Sequence, residues 1–313
     1  MNDKIIFIAT SSSIIEYENI FKKNKLYEKY FSVKYNSIKR KLNIHEIIEN
    51  CYDCVGIVAG TEKYTENVIK ELHKLKVISR LGVGMDNIDL EAARERNIKV
   101  YKTTTTPAPA VAELTLGLML DVARKVSHQC RQLTAGIWKK EMGTLLQCKT
   151  LGIIGLGTIG KTLVKLVGGF NFKILAYDIY HDDIFEKKHD ITYCDINTLL
   201  KESDIVSIHL NLSDQTMNLM NKQKLGMMKP DSILINASRG EIVDEKALYN
   251  ALKNERILGA GLDVFRKEPY NGPLTKLNNV VLTPHIGSYA KEIRIQMEIE
   301  AAKNLLKGFQ NAK

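Results

Sequence analysis

No apolar run in this sequence approaches the length of a membrane span. The longest near the start, 5–9, is far too short, and Asp3 spoils the positive flank of a secretion signal, so it reads as a first strand. Cysteine is sparse: Cys51, Cys54, Cys130, Cys148 and Cys194 are an odd number scattered over 313 residues. That argues against a disulfide framework and for a reducing, cytoplasmic setting. Cys51 and Cys54 form a lone C-x-x-C without a second pair or paired histidines, so no metal site is expected. The net charge of +9 comes with no aromatic-basic RNA motif, zinc finger or concentrated basic stripe. Neither nucleic acid nor a membrane is therefore an expected partner, and the positive balance suits small anionic substrates. No internal repeat or low-complexity tail is present.

What remains is the composition of an ordinary globular chain, 44% hydrophobic and 26% charged. Its 313 residues exceed the usual single-domain range, so two domains with separate cores, or one split by another, are expected, with room for a cleft.

Short apolar strands at 4–9, 31–35, 55–59, 76–79 and 98–101 alternate with helical spacing at 44–49 and 65–75, which predicts a small doubly wound parallel sheet. Four threonines and two prolines in 102–109 make a linker and a helix start. After Pro109, Leu114, Leu118, Val122 and Val126 recur at helical spacing, so 110–135 reads as one long helix, apolar enough to bury. Its apolar breadth predicts packing against a second copy in a homodimer. Strands at 151–154, 173–177, 204–210, 232–236, 257–264 and 280–283 predict a second, larger parallel sheet, and a helix at 290–309 is expected to return to the first domain.

The strand 151–154 runs directly into a G-x-G-x-x-G made by Gly155, Gly157 and Gly160, with Thr158 and Ile159 opening a helix. Gly155 permits the tight turn, Gly157 lets backbone approach a pyrophosphate, and Gly160 allows the helix to pack close to the strand. The helix N-terminus presents unpaired amides and positive dipole to the anion. Asp178 ends the next strand, where a carboxylate accepts hydrogen bonds from ribose hydroxyls and repels a 2′-phosphate. No arginine follows at Ile179, Tyr180 or His181, so NAD is expected rather than NADP.

Hydride transfer between a nicotinamide and a carbonyl requires a cation to hold substrate oxygens and an acid to protonate the forming alkoxide. Arg239, after the strand 232–236, projects from the carboxyl edge of the sheet and can grip substrate oxygens bidentately. Glu268 and His285 each lie just past another strand. A glutamate on one imidazole nitrogen fixes the tautomer and favours the protonated ring, leaving the other nitrogen to exchange a proton with substrate.

Several blocks resemble the D-isomer-specific 2-hydroxyacid dehydrogenase family, over nearly the whole chain. They are 80–89, 109–115 opening the long helix, the glycine fingerprint, the segments around Arg239 and Glu268, and 283–288 around His285. The resemblance implies an α/β fold of two doubly wound parallel-sheet domains. A flavodoxin-like substrate domain of 1–102 and 286–313 would hold an inserted Rossmann NAD-binding domain of 103–285. It also implies that the backbone at Gly82, Val83 and Gly84 binds the substrate carboxylate. Thr106 and Asp263 would lie near the nicotinamide, Asp263 holding its carboxamide, with His209 and Thr216 in the loop bordering the cofactor. That loop departs from the family pattern: two prolines common there are replaced by Asn211 and by Ser213 or Asp214.

The pattern is nearest the phosphoglycerate dehydrogenase-like branch, and the chain stops shortly after its last helix, so no appended regulatory domain is expected. Where phosphoglycerate enzymes commonly carry an arginine, Lys63 is the available phosphate partner. Phosphoglycerate, hydroxypyruvate and glyoxylate-type substrates all stay open, as does a sugar-acid intermediate. The family's NAD-binding co-repressors keep the same arginine, glutamate and histidine, so a non-catalytic NAD(H) sensor is the alternative.

Overall fold

The computed structural model describes residues 4–10, 13–23 and 31–310. Residues 1–3 and 311–313, assigned above to the first domain, lie outside them. Two compact units form: Met1–Pro107 with Tyr289–Lys313, and Ala108–Ser288.

The first unit holds β1 (Lys4–Ile8), β2 (Phe31–Tyr35), β3 (Cys54–Ala59), β4 (Val77–Arg80) and β5 (Lys99–Lys102) in the order β2-β1-β3-β4-β5, all parallel. Strand β4 is buried along its whole length, as expected of a parallel strand covered on both faces, whereas the edge strand β2 has no fully buried residue. Helix Ile44–Cys51 opens on a capping box: Glu46 N donates to Asn43 Oδ1 at 3.0 Å and Asn43 N to Glu46 Oε2 at 2.9 Å. The terminal helix Lys291–Gln310 packs on this sheet. Its Met297, Ala301, Ala302 and Leu305 share a core with Ile6, Ile8, Val58 and Val77, and Ser79 Oγ donates to Ala301 O at 2.8 Å.

The second unit holds β6 (Thr150–Ile154), β7 (Lys173–Tyr177), β8 (Ile191–Tyr193), β9 (Ile205–Ile208), β10 (Ile233–Asn236), β11 (Gly259–Leu262) and β12 (Val280–Leu282). Their order, β12-β11-β10-β9-β6-β7-β8, is again all parallel. The direction of winding reverses between β6 and β9, the place where doubly wound sheets bind ligands. Strand β8 is absent from the sequence reading because its three residues are too few to show a period.

The single helix expected at 110–135 is instead two, Ala108–Arg124 and Val126–Thr134, broken at Lys125, whose φ is +55°. Asp121 supplies the cause. Its carboxylate accepts the Ser127 amide at 2.7 Å and the Ser127 hydroxyl, a side-chain cap that starts a new helix. The second helix also buries none of its residues, contrary to the expectation of burial. No helix among the described residues is long and apolar enough to cross a membrane.

Candidate active site

The glycine turn after β6 has the shape that each glycine's chemistry predicts. Gly155 has φ +98°, and a Cβ there would lie 2.7 Å from the His209 carbonyl oxygen. Gly157 caps helix Thr158–Leu166 without a side-chain hydrogen bond, and a Cβ on it would meet nothing within 4 Å. The first turn of that helix thus faces open space with no side chain capping it, a cradle that fits a pyrophosphate. Asp178 is fixed beside it: Oδ2 accepts from Leu156 N at 2.7 Å and Oδ1 from Tyr180 N at 3.0 Å.

His209, just past β9, closes the same edge. Its Nε2 pairs with Ser207 Oγ at 2.9 Å, while its buried Nδ1 has no partner, a polar atom left for a ligand. Burial pushes its imidazole down to about 4, so the ring is neutral at physiological pH. Thr216 closes its own loop: Oγ1 donates to Asn211 O at 2.8 Å and accepts from Ser213 N at 2.8 Å. These features fit an NAD molecule on residues 155–160, 178 and 209. We expect Gly157→Val to fold with an unchanged melting temperature yet weaken NADH binding at least about tenfold in a fluorescence titration, because the added side chain fills the cradle alone. Gly155→Val, by contrast, is expected to destabilise the protein itself, through positive φ and the carbonyl clash.

Beyond β10, Asn236 folds the turn that carries Arg239. Its Oδ1 accepts from Ser238 N at 3.1 Å and from Ser238 Oγ at 2.8 Å, and its Nδ2 donates to Arg239 O at 2.9 Å. Gly240 lies against the Phe265 and Arg266 backbone so tightly that any Cβ would collide, which brings the Arg239 turn to the Glu268 loop. Both Glu268 carboxylate oxygens lie 3.1 Å from His285 Nδ1. With the Nδ1 hydrogen on that carboxylate, Nε2 is left for substrate.

His285 itself has φ +58°, and its amide donates to Asp263 O at 2.9 Å. Asp263, fully buried, staples the whole turn. Its Oδ1 accepts from Thr283 Oγ1 at 2.6 Å and Ile286 N at 2.8 Å, and its Oδ2 from Gly287 N at 2.8 Å. Burial pushes this carboxyl up, and the donors pull it back. Its visible work is to hold the strained histidine turn, a contact spanning some twenty residues that no local spacing reveals.

Glu268 and His285 therefore pair in the second unit, and the turn that carries Arg239 packs against the Phe265–Arg266 backbone of the same loop, on the sheet that also carries the glycine turn, Asp178 and His209. Gly82, Val83, Gly84 and Thr106 belong to the first unit. There Gly82 N donates to Thr103 Oγ1 at 3.0 Å. Lys63 is exposed. Among the described residues no group of three or more histidine, cysteine, aspartate or glutamate side chains is placed to hold a metal.

A dinucleotide turn on a doubly wound sheet, with a histidine–glutamate pair and an arginine at the ends of later strands, defines a nucleotide-dependent dehydrogenase. Residues 116–287 match the model of the D-isomer specific 2-hydroxyacid dehydrogenase, NAD binding domain. The chain is 43% identical over 256 residues to a glyoxylate reductase of Thermococcus litoralis, covering 79% of this chain and 77% of that one. It is 39% identical over 259 residues to a hydroxypyruvate reductase of Thermotoga maritima, covering 81% and 84%. A solved D-lactate dehydrogenase from Aquifex aeolicus, complexed with NAD and lactic acid, superposes with TM-score 0.82 at 25% identity over 98% of this chain and 96% of that one. The chain belongs to the D-isomer specific 2-hydroxyacid dehydrogenase family. It is an NAD-dependent oxidoreductase acting on CH–OH donors.

Proposed function

We propose that the protein interconverts a small D-2-hydroxy acid and its 2-keto acid, with Arg239, Glu268 and His285 carrying the chemistry and glyoxylate or hydroxypyruvate as the keto acids of first choice. The contact of Glu268 with His285 Nδ1 at 3.1 Å carries this reading, because it leaves Nε2 as the proton donor. NADH, which residues 155–160, Asp178 and His209 would hold, would supply the hydride when bound. Arg239 binds the substrate oxygens and favours the negative charge that develops on the carbonyl oxygen. His285 delivers its Nε2 proton to that oxygen, and in the oxidative direction takes it back. Glu268 holds the ring and supports its positive charge. In the first unit, the 82–84 turn is proposed as a carboxylate-binding element. Exposed Lys63 keeps phosphohydroxypyruvate as a second substrate to try. NADH oxidation over glyoxylate, hydroxypyruvate, pyruvate and phosphohydroxypyruvate tests the assignment: turnover of at least one supports it, and NADH binding without turnover of any points to a sensor.

Glu268→Gln removes the carboxylate from His285 Nδ1 and keeps the side chain's shape. Keto-acid reduction is expected to lose about tenfold or more in kcat with NADH affinity unchanged, since the ring loses the charged acceptor that fixes its orientation. A kcat within about twofold of the wild type would separate the two residues.

The protein is proposed to act as a homodimer in the cytoplasm, in keeping with five free cysteines. Trp138 and Met142, just past helix Val126–Thr134, are 82% and 90% exposed, apolar surface that a second copy would cover. Light scattering at micromolar concentration is expected to give twice the chain mass, and Trp138→Glu to lower it toward the monomer.

A further inference from the structure

Beneath the 82–84 turn lies a network of buried polar groups that the chemistry above does not use. Arg80, the last residue of β4, is 7% exposed, and Glu62, in the loop after β3, is 2% exposed. Charged side chains so far from water persist only where partners offset the lost hydration. Arg80 Nε donates to Asn87 Oδ1 at 3.1 Å and Nη1 to Leu81 O. Asn87 Nδ2 donates to Glu62 O at 2.6 Å and Gly60 O at 3.1 Å, and Glu62 Oε2 accepts from Gly60 N at 2.9 Å. Tyr64 N donates to Asn87 O at 2.8 Å, so the loops after β3 and β4 are laced together. Burial pushes the Glu62 carboxyl up, and the backbone amides of Glu62 and Gly60, with a smaller contribution from the charge of Arg80, pull it down.

The guanidinium lies directly against Gly82. A Cβ at that residue would collide with Arg80 Nη1, and Gly82 has φ +147°, so the position accepts glycine on two counts. With the Gly82 amide held by Thr103 Oγ1, the amides that follow are presented by a turn whose floor is a buried cation. In such a site water screens the charge poorly, and the cation favours an anion on the amides above it.

We infer that Arg80 is a positioning residue for the substrate carboxylate: braced by Asn87 and Glu62, it fixes the 82–84 turn from below and adds positive field to the amides of Val83 and Gly84. This rests on the reading that the turn binds the carboxylate. Arg80 touches no substrate atom and acts through the turn. The guanidinium rather than mere charge is required, since Nε and Nη1 hold two different acceptors in a fixed fork.

The test uses the holoenzyme with NADH, the best keto acid from the substrate panel, and oxamate as a non-reacting carboxylate probe. Val83→Pro removes one amide and examines the underlying reading. Arg80→Gln examines the inference, with Arg80→Lys as its conservative partner. Arg80→Gln is expected to raise KM and the oxamate Ki together by about tenfold or more, with kcat changed less than about threefold and NADH affinity unchanged. Arg80→Lys should recover part of the loss. If Val83→Pro leaves KM and Ki at wild-type values, the turn does not bind the carboxylate and the inference falls with it. If Val83→Pro raises both while Arg80→Gln does not, the turn binds the carboxylate and the role of Arg80 is refuted. Should Arg80→Gln not fold, Asn87→Ser removes the acceptor of Arg80 Nε and keeps the cation. The same rise in KM and Ki is then expected, and its absence refutes the brace.

Discussion

Replacing His285 with alanine is expected to lower kcat for keto-acid reduction by about two to four orders of magnitude, the usual reach of general acid–base catalysis. The imidazole is placed for this by three separate devices. The turn 283–287 is stapled by buried Asp263 through three hydrogen bonds, the backbone at His285 is held at φ +58°, and Glu268 sits 3.1 Å from Nδ1. Alanine keeps the first of these, because every Asp263 contact is to Thr283 or to backbone. The variant should therefore melt as the wild type does and bind NADH normally, and the loss should appear in kcat. Steady-state kinetics beside a thermal melt check both, and a loss under about tenfold would remove His285 from the proton transfer.

Arg239→Ala is expected to reduce kcat/KM by about three orders of magnitude or more while NADH still binds, because the lost group is the one proposed to hold the substrate oxygens and their developing charge. The turn should survive, since Asn236 organises it through the Ser238 amide and hydroxyl and the Arg239 carbonyl, none of which alanine removes. Arg239→Lys is expected to recover only a small part, since a point charge lacks the planar fork. Keto-acid turnover near the wild-type level in Arg239→Ala would refute the assignment.

Much of the architecture was legible because its causes are local. Runs such as Ile6 to Ile8 and Ile153 to Ile154 are apolar on both faces, as strands inside a parallel sheet must be, and they lie within a residue or two of the expected bounds. The glycine turn was legible because each glycine answers one steric demand, and the place of Asp178 because it directly follows the very next strand. The break at Lys125 was not, because apolar spacing continues through it while Asp121 and Ser127 decide the matter by a side-chain cap. The stapling role of Asp263 and the brace of Arg80, Asn87 and Glu62 were hidden for another reason. Their partners are distant in sequence, and only the folded sheet brings strand ends together.

The most direct test is a double-mutant cycle on kcat/KM for keto-acid reduction with Glu268→Gln, His285→Ala and the pair combined. If Glu268 acts by holding and charging His285, it has no work once the imidazole is gone, so the double variant should be no slower than His285→Ala alone. Losses that multiply in the double variant would mean the two residues act independently, and the proposed acid would not be the His285–Glu268 pair.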